Sequence, residues 1–491
     1  MENTGRIQAM LNPIAQRILY PHKSQLEFTE ELWFSTEIDR AHLVMLGEQK
    51  ILEKQKIKRL LTLIEDLRAR RFLPLYGRPC PRGTYLMYEN YLIEQLGAND
   101  GGALHIARSR NDMNATIIKM RLRYPCVRLL LQLLRLQRVL MRRAKEFSDT
   151  TMPIYTHYQA AVPVTLGHYF AGISESLTRD LHFFKEACVA LNICPLGSGA
   201  VGGTTLPIDM SITTKLLGFK ESTRNSIDAI ASRDFVLRML SSASVLGVTL
   251  SRLANDLLVW TTSEFDFIRL PDNLVGSSSM MPQKRNVFIL EHVKGKSTSP
   301  FGSLVSATTA MHSTPFSNSI AVGAEATSHI WKSLNDTIDA LVLCRLIVEA
   351  VEPNATAMLE RAENGYTSAT ELANQLVVRT GMSFRAAHKA VGEMVRTALE
   401  RGVPNEQLSE WVNNNFRIEL SHIDPQSIAR SAEFGGGPGI HSLERTLAEQ
   451  QDVWKNELAY AHSQRFLWKN AKRILDGKVK NIIGVVPDSG V

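Results

Sequence analysis

Apolar residues in this chain recur at intervals of three and four over long stretches, and alternate one-in, one-out almost nowhere. Between Ile117 and Phe147, Leu129, Leu130, Leu133, Leu134, Leu136, Val139 and Leu140 cover more than one helical stripe, which predicts a helix buried on most of its sides. No proline falls between Pro207 and Pro271, and there Phe235, Met239, Leu246, Leu250, Leu253, Leu257 and Trp260 keep helical spacing. One or two long core helices are expected there. The expected fold is all-α, a long-helix bundle flanked by two smaller helical domains. Its divisions are an N-terminal domain over 1–105, a central bundle over 106–352 and a C-terminal domain over 353–491, with a frayed tail from Asn470. Three loops rich in Gly, Ser or Pro interrupt the pattern, Pro195–Pro207, Val275–Val287 and Phe434–Gly439. Catalytic groups favour such loops on a rigid frame.

Composition narrows the class. With 44% hydrophobic and 21% charged residues, the chain lies outside the disordered and collagen-like ranges. Met1–Tyr20 is broken by Arg6, Asn12, Pro13 and Arg17, which argues against a secretory leader and for a cytoplasmic protein. The longest stretch free of Asp, Glu, Lys and Arg, Ser297–Ala324, is dense in Ser and Thr and holds two prolines, so no membrane span is expected. Five cysteines without CxxC spacing predict reduced, buried thiols, with neither a disulfide framework nor a zinc site. The net charge of +7 suits nucleic acid, membrane surface or small anions alike. The densest basic cluster, Arg135, Arg138, Arg142, Arg143 and Lys145, has no aromatics interleaved, and nucleic acid is not expected as a partner.

Four segments carry candidate chemistry. Gly197, Gly199 and Gly202 spell GxGxxG, but Cys194-Pro195 stands where a strand should lead in and Pro207 interrupts the helix that should come next, so a tight turn is the better reading. In Gly276–Asn286, small hydroxyl residues lead into Met-Met-Pro, two cations and an amide. A serine acts as a base only where cations and backbone amides stabilise its alkoxide, and this loop offers both; a solvated Ser-rich linker is the plain alternative. Ser109-Arg110-Asn111-Asp112 combines a fork donor with an amide, yet on its own reads better as a helix cap. Thr156-His157-Tyr158-Gln159 sets an imidazole among hydroxyl and amide groups, and a lone histidine is more often structural.

Taken in order and at their separations, these segments resemble the fumarase/aspartase superfamily, and more narrowly its argininosuccinate lyase-like branch. The similarity runs from His105 to Gly439 through HIARSRNDMNAT (105–116), THYQAAVPVTLGHYFAGISESLTRDL (156–181), PLGSGAVGGTTLPID (195–209), the SSSMMPQKRN loop and GGGPG (435–439). The first hundred residues match loosely, through Phe28–Leu46 alone. The resemblance implies a homotetramer whose active sites are shared between subunits, and an anti elimination that releases fumarate from a dicarboxylate substrate without metal or organic cofactor.

Carried over residue by residue, the resemblance makes Ser278, four positions before Pro282, the base, with Ser277 and Ser279 as near neighbours. Lys284 and Asn286 would stabilise the aci-carboxylate. His157 would stand by the leaving group, oriented by Glu291. Ser109, Arg110, Asn111, Thr156, Gln159, Arg233, Met281 and Asn318 match substrate-binding positions. Two departures stand out. The family's loop continues Asn-Pro-Asp, whereas Asn286 is followed here by Val287 and Phe288. Aligned without gaps, Asn318, Gly323 and Ala326 occupy the places of a Tyr, a Gln and a Lys that contact the arginine portion in argininosuccinate lyases. The expectation is a carbon–nitrogen lyase acting on an N-succinyl amine or aminopolycarboxylate. True argininosuccinate lyase is the runner-up, and a non-catalytic, crystallin-like structural protein the rival from another class.

Overall fold

A computed structural model describes residues 9–420 and 423–484. Three helices, α1 (Gln25–Glu48), α2 (Lys54–Ala69) and α3 (Thr84–Leu96), form the N-terminal part. A capping box in which Ser24 and Glu27 bond reciprocally starts α1. The central rod is α4 (Arg110–Glu146), whose 37 residues make it ~55 Å long at 1.5 Å per residue. A hairpin of β1 (Thr151–Thr156) and β2 (Gln159–Thr165) comes next, and α5 (Leu166–Cys188) then runs back along α4.

Side-chain bonds set the direction of each further helix. In α6 (Asp234–Trp260), Thr249 donates to Asp180 and Asp256 accepts from Tyr169, so α6 is antiparallel to α5. A short ladder of β3 (Gly276–Ser277) with β4 (Arg285–Asn286) leads into α7 (Phe288–Ser297) and α8 (Ser299–Met311), which return along α6. Lys294 donates to Asn255, and Gly247 has room for no side chain against Ser297 O. In α9 (Ile330–Ala350) the direction reverses once more, parallel to α4, with Arg121 over Trp331 near one end and Arg142 paired to Glu349 near the other. Helices Ala369–Thr380, Phe384–Arg401 and Glu406–Phe416 build a separate core around Leu376, Val391 and Val412.

The last helix, α10 (Ile440–Ile483), spans 44 residues and lies on α4, where Trp454 Nε1 donates to Leu134 O at 2.8 Å. It changes one expectation. The segment from Asn470 to Ile483 is helical, because Leu475 and Val479 are buried against the N-terminal helices and Asp476 pairs with Arg40 at 2.6 Å; residues 485–491 lie outside the described residues. The leucines of α4 are also covered within one chain, by α5, α9 and α10, so they leave no face for a partner. Exposed apolar groups lie elsewhere, with Val248 of α6 60% exposed and Phe301 of α8 63% exposed. By length and composition α6 is apolar enough to cross a membrane; half of its apolar window is buried inside the chain, as in a core helix.

Candidate active site

At the N-terminal end of α4, Ser109 and Asp112 form a second capping box. Asp112 is completely buried, and its carboxylate gathers three backbone donors: Ser109 N at 3.0 Å on Oδ1, and Gly197 N and Gly199 N at 3.0 Å each on Oδ2. The GxGxxG turn is therefore an anion cradle whose anion is the protein's own carboxylate. Gly199 is required there, since its φ is +60° and an added Cβ would stand 2.7 Å from Gly203 O. Burial raises the Asp112 pKa despite the three donors. Asn111 donates to Ala200 O at 2.9 Å and accepts from Asn318 Nδ2 at 3.0 Å, which draws the α8–α9 connection to the same place. The exposed Arg110 borders a cavity of 410 Å³ shared with Glu27, Glu30 and Tyr85. Just upstream, Arg108 pairs with Asp39 of α1 at 2.6 Å, both side chains fully buried, and bonds Tyr85; burial lowers the guanidinium's pKa, but Asp39, Tyr85 and Glu89 together outweigh it and hold the group charged. Arg233, 2% exposed, precedes α6 at this end and donates to Ile230 O and Ser232 O.

The other candidates lie at the opposite end. Thr156↔Gln159 closes the β1–β2 hairpin, leaving His157 and Tyr158 as a two-residue turn with φ of +50° and +62°. Such turns usually hold Asn-Gly, and side chains at these angles are strained in a way found at functional sites. All four residues are exposed. Nearby, the β3–β4 ladder pairs Gly276 with Asn286 and Ser277 with Arg285, and the ring of Phe288 packs on Gly276, leaving 2.7 Å for a Cβ. Above the ladder Ser278 Oγ accepts from Met280 N at 3.3 Å and Met281 N at 3.1 Å. Arg285 is held to Leu270 O and Asp272, so Lys284 is the loop's uncommitted cation. Met281 is exposed at the tip, and Glu291 is exposed in the first turn of α7. Among the described residues, the side chains of His157, Lys284 and Glu291 make no hydrogen bond or ion pair.

One chain therefore brings Ser109, Arg110, Asn111, Asn318 and Arg233 to one end, and Thr156, His157, Gln159, Ser278, Met281, Lys284, Asn286 and Glu291 to the other. The rod of α4 holds the two sets ~55 Å apart. Sequence reasoning placed Asp112 in a possible helix cap but not among the site residues, and left out Asp39, which no local pattern links to Arg108. A π-helical turn over Ala321–Glu325 leads into Ala326, which is 1% exposed in the core.

The chain matches the family model described as Lyase over residues 80–302 and that described as Argininosuccinate lyase C-terminal over 366–428. It is similar to argininosuccinate lyase of Methanococcus maripaludis, 31% identical over 94% of this chain and 95% of that one. It is also similar to argininosuccinate lyase of Methanothrix thermoacetophila, 33% identical over 92% and 93%. Among solved structures, EDDS lyase in complex with formate superposes with a TM-score of 0.85 at 29% identity, covering 100% of this chain and 99% of that one. An EDDS lyase variant with bound fumarate gives 0.83 at 29%, covering 98% and 100%.

Proposed function

The chain belongs to the argininosuccinate lyase-like branch of the fumarase/aspartase superfamily and is a carbon–nitrogen lyase; from that premise we propose that it is a cytoplasmic enzyme releasing fumarate from an N-substituted aspartate, with Ser278 as base. Ser278 takes the proton from the carbon beside one carboxylate, whose developing aci-carboxylate charge falls to Lys284 and Asn286. The electron pair moves into the new double bond as the C–N bond breaks. The departing amine takes its proton from His157, which Glu291 orients.

The observation that carries this reading is the pair of backbone N–H groups donated to Ser278 Oγ, with Lys284 in the same loop. In a linker they would make an ordinary serine turn; beside a cation they are what a serine alkoxide needs. Neither Ser277 nor Ser279 has side-chain bonds of this kind among the described residues. Alanine at each of the three positions tests it: Ser278→Ala abolishes turnover with folding intact. Near wild-type turnover in Ser278→Ala, with loss in Ser277→Ala or Ser279→Ala, would move the base.

The ~55 Å between the two sets of residues means that one chain cannot close a site around a small dicarboxylate. A homotetramer in which each site takes residues from several subunits resolves this, and the exposed Val245, Val248, Phe301 and Val305 supply apolar surface for the contact.

The leaving amine is proposed to differ from arginine. Asn318 stands by Asn111, an added Cβ on Gly323 would lie 3.5 Å from Asn318 Oδ1, and Ala326 is buried, so none of the three supplies a phenol or a cation. An N-succinyl amine or aminopolycarboxylate fits better. The similarity to argininosuccinate lyases at 31–33% identity favours argininosuccinate itself as the second reading.

A further inference from the structure

The basic cluster on α4 takes no part in the candidate site. Arg135, Arg138, Arg142 and Lys145 follow one another at spacings of three and four, which sets them in one stripe along the helix, and all four are exposed. Arg142 pairs with Glu349 of α9 at 2.5 Å. Among the described residues no carboxylate lies within ion-pair distance of Arg135, Arg138 or Lys145. Like charges at such spacings repel along a helix face. The negative end of the α4 dipole favours cations in the last turn and so accounts for Lys145, but its effect does not reach Arg135 and Arg138, two turns or more from the end.

The stripe borders a cavity of 570 Å³ between α4 and α10, within the ~300–1,000 Å³ usual for small-molecule sites. Arg138, Arg142 and Lys145 stand on the α4 side with Met141 among them, and Leu447, Gln451 and Trp454, successive turns of α10, form the other wall. Along the chain no aromatic interleaves the cluster. The fold supplies one, because α10 lays Trp454 against the stripe with Arg138 5.8 Å over its ring. The indole N–H donates to Leu134 O at 2.8 Å, which fixes the ring in place. Glu146 is the one acid of the lining, and its two oxygens are both taken by Arg143, at 2.8 Å each. Three cations therefore face a cavity whose carboxylate is already engaged, beside an apolar wall. None of the candidate catalytic or substrate-binding residues lines it.

We propose that this groove binds a nucleoside polyphosphate, with its phosphates on Arg138, Arg142 and Lys145 and its base on Trp454 and Leu447. Arg138 and Lys145 lie ~10 Å apart along the helix, so a chain of phosphates meets all three cations where a single carboxylate meets one or two. Exposed cations are screened by salt and hold an anion weakly by themselves. A flat base stacked on the indole adds contact that salt leaves intact.

Titration calorimetry of the full chain in its native assembly, at ~0.15 M salt, with ATP, tripolyphosphate and adenosine as probes tests this. ATP is expected to bind once per chain with a Kd of ~0.1 mM or tighter, tripolyphosphate ~10-fold more weakly for want of the base, and adenosine not measurably. The double variant Arg138→Gln, Lys145→Gln should weaken ATP ~10-fold or more and keep its fold, since both side chains are exposed. Gln451→Glu, which adds an acid to the exposed part of the opposite wall, should weaken ATP as well. Succinate should not compete. Failure of ATP to bind, or binding that these variants leave unchanged, would overturn the proposal. Equal affinity for tripolyphosphate would reduce the groove to a charged surface and overturn it too. Competition by succinate would move the bound ATP to the dicarboxylate site, and dissociation of the assembly in the double variant would give the cations to a partner subunit's carboxylates; either result overturns it.

Discussion

Replacing Asp112 with Asn keeps the shape of the side chain and removes its charge, and the three bonds to Asp112 give the consequence. An amide oxygen can serve Gly197 N and Gly199 N, but the amide nitrogen then faces Ser109 N donor to donor. One hydrogen bond to a charged group is lost, at about 1.5–3 kcal/mol, and the other two weaken by roughly half. The buried charge had its own cost, visible in a pKa raised by burial against three donors, and its removal offsets part of the loss. A net ~2–3 kcal/mol remains, felt first in the local opening of the 197–203 turn. At 1.4 kcal/mol per decade, amide exchange in that turn should quicken ~30–150-fold. Asn111, anchored to Ala200 O, loosens with it, and turnover should fall on the order of 100-fold for a displacement of about 1 Å. Hydrogen–deuterium exchange across 195–203 reads the first effect, and amine addition to fumarate reads the second. Unchanged protection with turnover within about twofold of wild type would refute the role given to Asp112.

Two further outcomes are expected. Mixed under subunit exchange, inactive Asn111→Leu and His157→Asn proteins should regain part of their activity, since the two positions sit at opposite ends of each chain; no recovery from fully exchanged mixtures would contradict shared sites. His42 is buried with Nε2 on Ile106 O at 2.9 Å, and burial lowers its pKa from 6.5 to about 3. Between those values the unfolded chain takes up a proton that the fold refuses, so the stability His42 contributes is present above pH ~6.5 and lost as pH falls, at roughly 1.4 kcal/mol per unit. His42→Gln should flatten the unfolding midpoint against pH by one proton in that window, and an unchanged slope would mean that His42 is not neutral in the fold.

The long helices were legible because periodicity survives in a leucine-rich chain, and α4 and α6 lie where Ile117–Phe147 and Phe235–Trp260 place them. The β1–β2 hairpin was not. Its strands carry Pro153 and Pro163, its apolar residues do not alternate, and its turn is His-Tyr instead of Asn-Gly. The tail misled for the opposite reason, since Leu475 and Val479 are sparse among lysines and gain meaning only against α1 and α2. In the candidate site, GxGxxG was legible as a turn but not as the cradle of a carboxylate 85 residues earlier in the chain. The resemblance set Ser278 apart from its neighbours by its distance from Pro282, and the two backbone donors on its hydroxyl came into view only in the folded loop. The separation of the candidate residues to two ends of a rod belongs to three dimensions, and no spacing along the chain announces it.

The central claim is a fumarate-releasing lyase whose amine is not arginine, and the direct measurement is fumarate release, followed by ultraviolet absorbance, from argininosuccinate and from a panel of N-succinyl amines and aminopolycarboxylates. The account predicts at least one panel member with kcat/KM of ~10⁴ M⁻¹s⁻¹ or more and argininosuccinate well below it. Argininosuccinate turned over at ~10⁴ M⁻¹s⁻¹ or more would contradict the altered specificity, and fumarate from none of them would contradict the reaction itself.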